Sequence, residues 1–134
     1  MSPFQEVDHT ADWALHVWAP TLEALFVDAA AGMYALAGAR AGQAAPAQRR
    51  IEVNDGDAAA LLVAWLQELL YYTEAEGLVF TSFEIEELTP VHLRAMVRGA
   101  AAERLDKVIK AVTYHNLKIE RTERGFEVTI VFDV

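Results

Sequence analysis

Three carboxylates at strand ends are the groups in this chain best suited to chemistry. Asp133 and the free α-carboxylate of Val134 follow the alternating run Phe126-Glu-Val-Thr-Ile-Val-Phe132, so the last strand is expected to end on two adjacent oxygen anions. Asp12 stands directly before a second alternating run, Trp13-Ala-Leu-His-Val-Trp18. If the two strands are neighbours, one site is assembled from both ends of the sequence. The repulsion among three clustered anions then calls for a counter-charge: a hard divalent cation, a lysine or arginine, or protonation. The competing reading is structural, with Asp12 terminating a turn and Asp133 a solvated strand end.

The remaining chemical candidates are fewer. His9, His16, His92 and His115 show no HxH or HExxH spacing. His16 and His92 fall on alternating runs and are expected on sheet surfaces. His9 adjoins Asp12, and His115 follows the segment Lys110 to Thr113; each either fixes a turn by hydrogen bonds or takes part in chemistry. Lys110 offers a mobile ammonium for a phosphate or a carboxylate of a partner, or is an ordinary surface lysine. The GxSxG elbow, the Walker A loop and the GxGxxG fingerprint are all missing.

Positioning these groups requires strands, and the pattern supplies them. Residues 4–7 and 13–18 read as strands. Thr21 is placed to cap a helix carrying Leu22, Leu25, Phe26, Ala29, Met33 and Leu36 on one stripe, with Gly38 as its stop. Residues 39–48 lack periodicity and read as an exposed loop, followed by a short strand at 49–53. Asp57 then caps a second helix with a wide apolar face, Leu61, Leu62, Trp65, Leu66, Leu69 and Leu70, ending over 74–77. Four more strands are expected at 79–87, 91–98, 112–121 and 126–134, arranged as two antiparallel hairpins, with a helical turn over 100–109. Trp13, Trp18 and Trp65 lie on apolar periodic faces and are assigned to the core. The class is α+β, a mostly antiparallel sheet packed by two main helices in one domain spanning 1–134.

Composition narrows the function. With 134 residues and 54% hydrophobic content the chain can bury a core without staples. It has no cysteine, which excludes disulfides, thiolate metal sites and thiol chemistry, so a metal must be held by oxygen or imidazole. Twenty acidic against 11 basic residues give a net charge of −9, which repels phosphate backbones and anionic lipids. Direct stable nucleic-acid binding and membrane association are not expected. The first residues lack a signal-peptide pattern and the longest apolar run, 58–66, is short of the ~20 residues of a membrane helix, so a cytoplasmic protein is expected.

Four segments in order carry a family likeness: His9-Thr10-Ala11-Asp12, Leu61-Leu-Val-Ala-Trp-Leu-Gln-Glu-Leu-Leu70, Lys110-Ala-Val-Thr-Tyr-His115 and the terminal Val131-Phe-Asp-Val134. Together they resemble the archease family over nearly the whole chain. The resemblance implies a small accessory protein of the RtcB-type RNA ligase, which joins tRNA exon halves and repairs broken RNA. Such a protein promotes guanylylation of the ligase's active-site histidine, allows multiple turnover and broadens nucleotide choice, without being a ligase itself.

The resemblance also implies a divalent-metal site at Asp12, Asp133 and Val134, with calcium as the first choice and magnesium or manganese as alternatives. It implies a functionally sensitive lysine at Lys110; His9 and His115, which stand in two of the motifs that carry the likeness, are taken with it as candidates for partner contact or activation. Two positions depart from the family pattern: Ala14 stands where glycine is usual, and Ala100 replaces the glutamate that usually follows Gly99, leaving Glu103 as a nearby substitute. Two other classes remain as alternatives, a small metal-dependent hydrolase using Asp12 and Asp133, and a metal-independent interaction or chaperone-like module.

Overall fold

Side-chain caps fix where both helices begin. The Thr21 hydroxyl accepts the Ala24 N–H at 3.1 Å and starts α1 (Leu22–Leu36); the Asp57 carboxylate accepts the Ala60 N–H at 2.8 Å and starts α2 (Ala58–Glu76). Glycines end them. Gly38 (φ 63) follows the α1 cap, and Gly77 (φ 69) closes α2 by donating its N–H to the Thr73 carbonyl at 3.0 Å. This computed structural model describes residues 3–8, 13–114 and 117–134.

The strands are β1 (Phe4–Asp8), β2 (Trp13–Ala19), β3 (Arg40–Ala41), β4 (Ala47–Asn54), β5 (Leu78–Thr89), β6 (His92–Arg104), β7 (Ala111–Val112), β8 (Glu120–Thr122) and β9 (Gly125–Asp133). They form two antiparallel sheets. In the first the order is β1-β2-β9-β7, with β8 also paired to β9; in the second β6 is central and pairs with β3, β4 and β5. Helix α1 packs on β2 and β5, and α2 on β4, β5, β6 and β7, so the helices join the two sheets through a shared core. Phe26, Trp65, Phe80 and Phe132 are fully buried there. The Trp65 indole N–H donates to the Phe26 carbonyl at 3.0 Å, which satisfies its one polar atom inside the core.

The α+β class, both helices and both hairpins agree with the sequence reading; several local expectations do not. Residues 100–104 continue β6 instead of starting a helical turn, because Leu78 and Val79 pair with Ala101 and Ala100 while Arg40 pairs with Arg104. Cross-strand pairing overrides the helix propensity of the alanine run. Glu103 is therefore an exposed strand residue of the second sheet. The strand expected over 112–121 is two short pieces, β7 and β8, which meet β9 in different registers, Val112 opposite Phe132 and Glu120 opposite Glu127. The 39–48 loop contributes the two-residue β3 and the start of β4.

Trp65 belongs to the core as expected, whereas Trp13 and Trp18 are half-buried. Each is covered by a cation: the Lys107 Nζ lies 3.2 Å from the Trp13 ring centroid and the Arg124 guanidinium 4.8 Å from that of Trp18.

Close backbone approach explains Gly99. A Cβ there would overlap the Val79 carbonyl oxygen and sit 2.7 Å from the Phe80 Cα, both backbone atoms beside the irregular register of β5. Gly99→Ala is expected to destabilise the domain by about 1–3 kcal/mol, read from urea unfolding. An unchanged midpoint would show that β5 yields freely.

The outer face of the second sheet is an ion-pair ladder. Arg50 meets Glu86 at 2.8 Å, and the His92 ring sits between Glu52 (Nε2 at 2.8 Å) and Glu87 (Nδ1 at 2.9 Å), with Arg94 also near Glu87 at 3.5 Å. The Nε2 hydrogen bond to Glu52 and the Glu87 carboxylate 2.9 Å from Nδ1 both favour the imidazolium. The hydrogen bond that His92 donates to Glu52, then the charge of Glu87, raises the His92 pKa above its usual 6.5, while Glu52 is held below its usual 4.5 chiefly by accepting that bond.

The histidine's contribution to stability is thus fully present below pH 6.5 and lost as pH rises through its raised value; that of Glu52 is present above pH 4.5 and lost as pH falls through its lowered one. The stability difference between wild type and His92→Gln is expected to be largest near pH 5.5 and to shrink toward alkaline pH in thermal melts. A difference that grows with pH would contradict the clamp.

Candidate functional site

The end of β9 gathers the candidate residues that the structure describes. Strand β9 pairs on one side with β2, where Trp13 opposes Phe132, and on the other with β7, where Ala111 opposes Asp133. The Lys110 N–H donates to the Asp133 carbonyl at 2.7 Å, and the Thr113 N–H to the Val131 carbonyl at 2.9 Å. Lys110 is thereby fixed beside Asp133 through backbone, while its side chain is exposed and joins no ion pair among the described residues. The Val112 N–H reaches the Gln67 side-chain oxygen at 3.4 Å, which ties the same segment to α2.

Asp133 has an exposed side chain and joins no ion pair among the described residues. Its carboxylate is a hard oxygen donor not engaged by a cationic side chain there, which fits the chemistry of calcium, magnesium or manganese. Val134 is half-buried and packs against the core, so the chain is held in place one residue beyond Asp133. His9, Asp12 and His115 lie outside the described residues. Among the described residues, no group of three His, Asp or Glu side chains is placed to hold a metal ion.

Two neighbours of this site were not legible in the sequence. Lys107 stacks on Trp13, the residue that opens β2 directly after Asp12, and its N–H donates to the Ala37 carbonyl at 3.0 Å. No spacing rule links a lysine to a tryptophan 94 positions away, so only the pairing of distant strands reveals the contact. The Thr113 hydroxyl is buried with no hydrogen-bond partner among the described residues, an unsatisfied polar group next to β9.

Comparison with known proteins agrees with this fold. The sequence model of the archease protein family (MTH1598/TM1083) matches residues 4–134. A Methanopyrus kandleri protein archease is 34% identical over 139 residues, covering 98% of this chain and 99% of that one; one from Methanothermobacter thermautotrophicus is 30% identical with both chains fully covered. The solution structure of Methanobacterium thermoautotrophicum protein 1598 superposes with a TM-score of 0.74 at 25% identity over 100% of both chains. The crystal structure of a Thermotoga maritima protein, described as an archease and possible chaperone, has the same fold, with a TM-score of 0.72 at 19% identity over 97% of this chain and 96% of that one.

An α+β domain of two helices and two antiparallel sheets is thus the class that the fold defines. The chain belongs to the archease family.

Proposed function

We propose that this protein activates an RtcB-type RNA ligase in tRNA splicing and RNA repair, promoting guanylylation of the ligase and its multiple turnover. It acts as a protein cofactor and not as an enzyme. The observation that carries this reading is the convergence at the end of β9: the strand that follows Asp12 pairs with the strand that carries Asp133, and the Lys110 N–H is bonded to the Asp133 carbonyl. In this reading Asp12, Asp133 and the Val134 carboxylate hold a divalent cation, calcium first, with magnesium or manganese as alternatives. Lys110, with His115 of its own motif and His9 of the N-terminal motif as further candidates, meets the ligase or its nucleotide. Family membership and the chaperone description attached to the Thermotoga maritima relative support a role exerted on a partner.

The chain's −9 charge bears on how that role is exerted, since it supplies no counterion-release term for binding RNA directly. Among the described residues, no helix is long and apolar enough to cross a membrane. Two experiments test the proposal. With the ligase far below its RNA substrate, adding this protein should convert one round of joining into many; unchanged yield would reject activation. Filter binding of tRNA-like RNA by this protein alone, at physiological salt, should show no appreciable retention, and tight retention would show that it acts on RNA instead of on the ligase.

A further inference from the structure

We propose that the groove between the C-terminal turns of the two helices and the segment 105–109 is a docking site for one apolar side chain of the ligase with a basic residue beside it. This rests on the reading that the chain activates an RNA ligase. The groove has a volume of about 260 Å³, with Met33 and Leu70 among the helix residues lining it and Leu105 and Val108 on the opposite lip. Val108 is 64% exposed and Leu105 37%, apolar surface left uncovered at the groove's edge.

Size and polarity decide the occupant. The volume is below the ~300–1,000 Å³ of small-molecule sites and suits a single inserted side chain. A metabolite would also need convergent polar groups to orient it. The Tyr34 hydroxyl at the groove is instead engaged with Thr73 at 2.9 Å, and burial pushes its pKa up to about 12, so it stays neutral.

Charge selects the flanking residue. Two ionic side chains line the groove, Glu74 and Lys107. Lys107 is committed to the Trp13 ring at 3.2 Å, whereas Glu74 is exposed and joins no ion pair among the described residues. The stacked ammonium keeps its charge but is held against the ring, so the ionic group the rim offers outward is the Glu74 carboxylate, which on a chain of net charge −9 complements a cation on the partner. The same sign disfavours RNA, and a second copy of this chain would bring a further −9 of its own. Position completes the argument: Val108 precedes Lys110 by two residues, so an anchor in the groove sets the ligase against the end of β9.

The test titrates this protein into an RtcB-type ligase and reads transfer of labelled GTP to the ligase, separating the half-maximal concentration from the maximal rate. Val108→Glu should raise the half-maximal concentration about 30-fold or more, the size of a hot-spot loss, with the maximal rate retained. Glu74→Lys should raise it less and reduce its dependence on salt. Both variants should melt like wild type; were Val108→Glu to unfold, Glu74→Lys alone decides. Wild-type concentrations for both would overturn the groove while leaving activation standing. A change in sedimentation of isolated Val108→Glu would overturn it too, by making the occupant a second copy. No stimulation by wild type would overturn the activation reading itself, and this inference with it.

Discussion

Replacing Lys110 by alanine is expected to lower stimulation of ligase guanylylation about 100-fold while leaving the fold intact. The fold survives because the hydrogen bond that anchors this position belongs to the backbone: the Lys110 N–H donates to the Asp133 carbonyl at 2.7 Å, and alanine keeps it. The exposed ammonium forms no ion pair among the described residues, so its loss should change stability by about 0.5 kcal/mol or less. The large functional effect follows if that ammonium stabilises charge developing on the transferring nucleotide phosphate, where removing one preorganised donor costs about 10²–10³ in rate. Lys110→Arg should rescue only in part, since a planar fork does not reproduce a compact ammonium. Labelled GTP transfer measures the effect and a thermal melt measures the fold. A variant that unfolds, or one that stimulates like wild type, would remove Lys110 from the activation role.

Loss of divalent-cation binding on Asp133→Asn is the second large effect, at least about 100-fold in affinity. Even residues that only support metal ligands change affinity about 10–100-fold, and a ligand itself must matter at least as much. The amide keeps the shape of the side chain and leaves the Asp133 carbonyl in its bond to Lys110, so the strand end is preserved while the charge is lost. Extending the chain beyond Val134 should weaken binding as well, because a carboxylate becomes a neutral peptide group. Calorimetric titration of calcium and of manganese into the three proteins reads both effects. Equal affinities would exclude Asp133 and the Val134 carboxylate as ligands, and binding lost only in the point variant would exclude the latter alone.

Legibility of the fold from sequence followed how local the determining interactions are. Thr21 and Asp57 announce their helices because the capped N–H groups belong to residues three positions away, and Gly77 announces an end because its left-handed backbone favours glycine. Ala100 to Arg104 looked helical because its neighbours β3 and β5 lie far along the chain. Residues 112–121 keep an alternating look, and only the pairing with β9 reveals the change of register between their two pieces.

The site was half legible for the same reason. Strand ends carrying Asp12 and Asp133 can be read from alternation, and the observed pairing of β2 with β9 places Trp13 opposite Phe132 as that reading requires. Lys110 stood out through family likeness, and only the β7–β9 register gives it a physical neighbour in Asp133. The Lys107–Trp13 stack and the groove beside it depend on contacts between distant segments, which no local pattern encodes.

The most direct test of the account is the rate at which an RtcB-type ligase acquires label from GTP, measured with and without this protein in the presence of calcium or manganese. The account predicts faster and more complete labelling of the ligase when the wild-type protein is present, with the gain largely lost for Lys110→Ala. Identical labelling with and without the wild-type protein would contradict it.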